Sequence, residues 1–140
     1  MSLVASLAIS GSGMTAESER LSAVASNLAN ANSIVTSSGT PYRAREVVFK
    51  AISQAEDTVD GAAATGIAGV RVAGVVESGE PLRTLYDPSS NFADANGYVT
   101  TPNVNPVEEI VNMISAQQDY QANLEAFNVA KSLALRTLAI

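Results

Sequence analysis

The chain contains no cysteine, no histidine and no tryptophan. Lack of cysteine excludes disulfides and thiol chemistry. With histidine missing too, Cys/His metal sites and histidine-based triads are excluded. Aromatic residues make up only 5% of the chain. Basic residues are outnumbered, 8 against 14 acidic ones, for a formal net charge of -6. That balance runs against nucleic-acid binding, which relies on a basic patch or stripe. Long apolar runs are missing as well: Val47-Val48-Phe49 is far short of the roughly 20 residues that cross a bilayer. The apolar stretch from Met1 to Ile9 has no Lys or Arg ahead of it, and the first basic residue is Arg20. A cleaved secretory signal is therefore not expected, and export would need another route.

Alanine, in contrast, is abundant, with 23 of the 140 residues. It is the best helix former but brings little area to bury. A chain of single-domain length with this composition should form closely packed helices around a thin core. Such a chain suits a subunit that completes its burial against neighbours.

Three segments differ in character. In residues 1–33, Leu7, Met14, Leu21 and Leu28 fall seven apart, with Leu3, Val24 and Ala31 on the adjoining half-turn. This heptad spacing predicts a helix with a narrow apolar seam facing another helix. Gly11-Ser12-Gly13 should kink or loosen it. Asn27, Asn30 and Asn32 lower helix propensity and predict its end near Ser33. Residues 34–104 hold seven of the nine glycines and four of the five prolines. Strands are expected over Arg45–Ile52, Val70–Glu77, Leu82–Tyr86 and Tyr98–Thr101, with a loop over Asp60–Gly69 and a tight turn at Asn96-Gly97.

In residues 105–140 the helical pattern returns. Asn105 suits an N-cap, Pro106 the first helical position, and Glu108 the place from which a carboxylate reaches back to the cap N–H. The helix should run to about Leu138 with two stripes. One holds Val107, Ile110, Ile114, Gln117, Gln121, Leu124, Leu135 and Leu138. The other holds Met113, Ala116, Tyr120, Asn123, Phe127, Ala130 and Ala134. The N-terminal helix can cover only one of them, so the second predicts assembly. The amides Gln117, Gln118, Gln121, Asn123 and Asn128 either face water or fix register in a packed assembly. The expected fold is α+β: long N- and C-terminal helices paired as a coiled-coil-like layer, with a small β-rich middle region of hairpins and loops.

Candidate chemistry fails on context. Gly11-Ser12-Gly13-Met14-Thr15-Ala16 has the letters of a dinucleotide fingerprint, but a helical pattern precedes it and no carboxylate follows near Ser33. Gly61 to Gly66 has phosphate-loop spacing, but Ile67 and Ala68 stand where Lys and Ser/Thr belong. Asp94-Ala95-Asn96-Gly97 echoes a calcium loop, with Phe92 and Asn103 at the ligand positions that need carboxylates. Glu108-Glu109 opens a helix, where carboxylates offset the dipole. The tyrosines and serines lack an activating base. No enzyme, cofactor or metal site is expected.

The terminal segments resemble a known family. Ser12-Gly13-Met14-Thr15-Ala16-Glu17-Ser18-Glu19-Arg20-Leu21 through Ala25-Ser26-Asn27-Leu28-Ala29-Asn30-Ala31-Asn32 is similar to the N-terminal signature of flagellar rod and hook axial proteins. Val107 through Asn123 is similar to their closing helix. Pro41-Tyr42-Arg43-Ala44, Gly97-Tyr98-Val99 and Pro102-Asn103-Val104 narrow the resemblance to the short proximal-rod type, although Gln117-Gln118-Asp119 departs from the basic residue expected nearby. The resemblance implies export through the flagellar type III apparatus without signal cleavage, and polymerisation in the periplasm into the proximal rod of the basal body. The implied partners are other copies, other rod proteins, and membrane-ring, adaptor and export components. No nucleic acid, small-molecule substrate or membrane span is implied. The expected assembly residues are Leu7, Met14, Leu21, Asn27, Leu28, Asn30, Ile110, Met113, Ile114, Tyr120, Leu124, Phe127, Leu135 and Leu138. A distal-rod or hook-related subunit and a non-flagellar helical adaptor are the alternatives that share these features.

Overall fold

The computed structural model describes residues 3–34, 39–53 and 67–138. Its elements run α1 (Leu3–Asn30), β1 (Arg45–Ser53), β2 (Ile67–Glu77), β3 (Arg83–Tyr86), β4 (Tyr98–Thr101) and α2 (Pro106–Leu138). Two long terminal helices thus bracket a β-rich middle, the expected α+β arrangement. β1 and β2 form one two-stranded sheet and β3 and β4 another. Of the expected loop over Asp60–Gly69, residues 60–66 lie outside the described residues, and 67–69 already belong to β2.

The chain folds as two compact units, both assembled from separated stretches of sequence. One comprises Met1–Leu21, Val47–Gly74 and Ser115–Ile140; the other comprises Ser22–Glu46 and Val75–Ile114. The helices contribute to both.

In the first unit α1 and α2 run antiparallel, with Gly13 against Asn123 and Arg20 against Asp119. The kink expected at Gly11-Ser12-Gly13 does not occur, and α1 continues through it. Tertiary contacts explain why. A Cβ on Gly13 would come within 2.9 Å of the Asn123 side chain, so the missing atom is what lets α2 approach. The Ser12 hydroxyl donates to the Ile9 carbonyl at 2.8 Å and accepts the Val70 N–H at 3.1 Å, tying the helix to β2. Gly69 closes this contact, since a Cβ there would lie 2.5 Å from the Ser12 Oγ. Gly13, which weakens a lone helix, serves close packing here.

In the second unit the buried cluster is Ala31, Ala44 and Val104, with Tyr42 packed against it. β3 and β4 pair antiparallel, Leu85 opposite Val99 and Tyr86 opposite Tyr98. Alternation turns Val99 inward while Tyr98 stays outside. Gly97, at φ +82°, makes the turn that leads into β4. The Asp94 carboxylate accepts the Asn96 and Tyr98 N–H groups at 2.8 and 2.9 Å. Asp94 thus organises a turn, the same residue that gave the segment its calcium-loop look.

At the start of α2 the Asn105 Oδ1 accepts the Val107 N–H at 3.2 Å, as an N-cap should. Glu108, expected to complete the cap, is exposed, and the carboxylate turned inward is that of Glu109. Among the described residues the buried apolar side chains are alanines, valines and Pro102, none of them large. The core is as thin as the composition implies.

Two neighbouring glycines should respond oppositely to substitution. A Cβ added at Gly11 would meet nothing within 4 Å, so Gly11→Ala should raise stability by about 1 kcal/mol through helix propensity. Gly13→Leu must push into Asn123 and should lower the thermal midpoint despite the same gain in propensity. Equal shifts at both sites in a melting experiment would refute the close-packing role of Gly13.

Candidate assembly interface

The polar anchor of the second unit is Asn27, which is 2% exposed. Its Oδ1 accepts the Arg45 N–H at 2.8 Å and the Tyr42 hydroxyl at 2.9 Å. Its Nδ2 donates to the Arg45 carbonyl at 2.9 Å and to the Glu109 Oε1 at 3.2 Å. All four hydrogen-bonding valences of the amide are used. One side chain of α1 therefore holds the start of β1 and the first turn of α2. Tyr42 is fixed further by Ser26, 3.2 Å away, and the Arg45 guanidinium lies 5.7 Å from the centre of its ring.

A second buried amide works alongside it. Asn103 accepts the Ala44 N–H at 2.8 Å and donates to the Glu80 carbonyl at 3.1 Å. The short pieces Pro41-Tyr42-Arg43-Ala44 and Pro102-Asn103-Val104, which carry part of the family resemblance, are thus the residues that lock this unit. In the sequence Asn103 reads only as a failed calcium-loop position and Glu109 only as a helix-start carboxylate, because the partners that make them anchors are remote in the chain.

In the first unit Arg20 sits between two carboxylates, Glu17 at 3.6 Å and Asp119 at 3.7 Å. Asp119, in the segment that departs from the family pattern, thereby meets a cation on α1. Burial pushes the Glu17 carboxyl above its usual value; Arg20 opposes the shift and Asp119 adds to it. Burial also raises Glu109; the Asn27 hydrogen bond opposes this, while Glu108 and Glu46 reinforce it. Each of these carboxylates keeps one buried oxygen, Oε2, without a hydrogen bond among the described residues.

The two stripes of α2 separate cleanly. Ala116 and Ala130 are buried, and Met113, Tyr120, Asn123, Phe127 and Ala134 are half-buried. Along the other stripe Val107, Ile110, Ile114, Leu124 and Leu135 are 40–69% exposed. The Leu138 side chain lies outside the described residues. Gln117, Gln118, Gln121 and Asn128 are exposed, whereas Asn123 packs on Gly13. On α1 the heptad residues Leu7, Met14, Leu21 and Leu28 are half-buried, and Asn30 is held by its own helix through the Ser26 carbonyl. The most buried line of α1 is instead Ser10, Gly13, Ala16, Val24, Asn27 and Ala31. Asn27, expected at a subunit interface, is committed inside the chain.

Family models match both ends of the chain: "Flagella basal body rod protein" matches residues 7–34 and "Flagellar basal body rod FlgEFG protein C-terminal" matches residues 95–140. The class is that of flagellar basal-body rod proteins. Flagellar basal-body rod protein FlgC of Salmonella typhimurium is 46% identical over 140 residues, covering 100% of this chain and 98% of the relative. The Escherichia coli O157:H7 relative of the same name matches to the same extent, and that of Aquifex aeolicus is 40% identical over 98% of this chain and 96% of its own. The chain belongs to the FlgC family of flagellar basal-body rod proteins.

Asn27→Ala should destabilise the second unit strongly. It strands the Arg45 backbone groups and Glu109, at about 1–3 kcal/mol for each buried group left unsatisfied. Urea titration measures the loss, and a change no larger than a surface substitution would refute the anchoring role.

The two half-buried glutamates also set a pH dependence. Both have folded-state values above the ordinary 4.5, so just above that pH the folded chain binds more protons than the unfolded one. Their contribution to stability is gained as pH falls through this window and lost as pH rises through it. The double variant Glu17→Gln, Glu109→Gln should flatten the profile between the acid side of that window and neutrality. An unchanged slope in pH-dependent melting would contradict the assignment.

Proposed function

We propose that the chain is a non-enzymatic structural subunit of the proximal rod, part of the drive shaft of the bacterial flagellum, and that it polymerises through its terminal helices. The observation that carries this reading is the second face of α2, where large apolar side chains stand exposed along a helix whose opposite face is already covered. Large exposed apolar side chains gathered along one helix face, here interrupted by Gln117 and Gln121, mark a surface used in association. The family relationship supplies the setting: the chain leaves the cytoplasm through the flagellar export apparatus without signal cleavage and assembles in the periplasm. Its neighbours there are further copies, other rod proteins, and membrane-ring or adaptor components. No helix among the described residues is long and apolar enough to cross a membrane.

Leu124, 40% exposed, is the sharpest test. Leu124→Asp should leave the purified chain folded, within about 0.5 kcal/mol of the parent as for most surface changes. In a polymer the same carboxylate must be buried unpaired at every repeat, which is costly enough to stop growth. Cells carrying it should export normal amounts of the protein yet lack hooks and filaments. Phe127→Asp, on the covered face, should instead unfold the chain itself. Motile cells with Leu124→Asp would overturn the reading.

A further inference from the structure

We infer that in the assembled rod Lys131 of one copy inserts into a groove of a second copy and pairs there with the Glu17 carboxylate. This rests on the reading of the chain as a rod subunit and names a contact that such a polymer uses. The groove lies in the first unit and has a volume of about 340 Å³; Ile9, Ala16, Phe49, Val70 and Asn123 line it together with Glu17. Its walls are mostly apolar, and its one charged lining group is incompletely paired. The Glu17 Oε2 is buried and accepts no hydrogen bond. Arg20, at 3.6 Å, is too distant to supply one and is shared with Asp119 on its other side. A buried acceptor left in this state calls for a further donor.

The complementary charge stands on α2. Lys131 lies seven residues after Leu124 and four before Leu135, within the exposed apolar stripe. It is itself exposed. No acidic residue stands three or four positions before or after it on the helix, and no ion pair to it is formed among the described residues. When this face closes on a neighbour, the ammonium has to meet an acid, because a buried unpaired charge is strongly destabilising. A lysine stem suits the groove, since its methylenes can lie along Phe49 and Val70 while the ammonium reaches the carboxylate. The occupant is a second copy because every copy carries both halves of the match. Two different patches that fit each other make a head-to-tail contact, the kind that propagates a helical polymer. The ammonium would oppose the upward shift that burial imposes on the Glu17 carboxyl in the isolated chain.

The natural absence of cysteine makes the test direct. Glu17→Cys and Lys131→Cys are produced together in one cell as separate chains, and isolated basal bodies are treated with a short bis-maleimide, because the Cα atoms of a lysine–glutamate pair stand too far apart for a direct disulfide. A cross-linked dimer must then join two copies, and it should form in basal bodies but not in dilute monomer. In parallel, Glu17→Lys and Lys131→Glu should each lower the yield of complete rods about tenfold or more, and combining them in one chain should recover most of it, as a coupled pair requires. Basal bodies that contain both cysteine variants without a dimer would overturn the contact. So would a cross-link from Glu17→Cys to a different protein, or an exchanged pair no better than the single changes. The rod reading fails by a different result: complete rods in cells that lack this chain.

Discussion

In the second unit one buried amide joins α1, β1 and the start of α2. Asn27 satisfies both backbone groups of Arg45, the Tyr42 hydroxyl and an oxygen of Glu109. An apolar residue in its place would bury comparable area but leave those groups without partners, and orphaned buried polar groups cost more than small side chains can offset. The amide also specifies geometry, because two donors and two acceptors fix direction where an alanine contact does not. Helix, strand and second helix are held in one arrangement by a residue whose helix propensity is poor.

The reliance on polar anchors follows from the size of the apolar residues inside. Ala16, Ala31, Ala44, Ala116 and Ala130 are buried while Ile110, Ile114, Leu124 and Leu135 are exposed. Small residues inside allow the close approach seen at Gly13 and Asn123, but they remove little surface from water. The larger side chains that could contribute more are turned outward. In the assembly proposed above, a chain built this way keeps part of its hydrophobic stabilisation for the polymer, where neighbours would cover the same residues.

The carboxylates follow the same division. Glu109 is held by Asn27 and Glu17 is flanked by Arg20, yet each retains a buried oxygen without a hydrogen bond. In Glu109 the shortfall sits within the first turn of α2, where the helix dipole favours negative charge. In Glu17 it borders an apolar groove. One carboxylate completes an internal lock, and the other is the group that the proposed contact between copies would pair.

The sequence by itself determined the elements. Heptad and two-stripe spacing, the Asn105-Pro106 start, β-branched runs and the Asn96-Gly97 turn are local signals, and the helices and strands formed where those signals lie. The terminal motifs disclosed the family for the same reason, since they are contiguous. Tertiary structure decided the rest. Gly11-Ser12-Gly13 reads as a break because propensity counts only the lone helix, whereas Val70 and Asn123 make it a packing site. Asn27 reads as the fading of a helix, and only the approach of Arg45 and Glu109 turns it into an anchor. Which stripe of α2 is covered was equally beyond spacing, since both are partly apolar. That choice depends on which face meets α1, a contact between residues about a hundred positions apart.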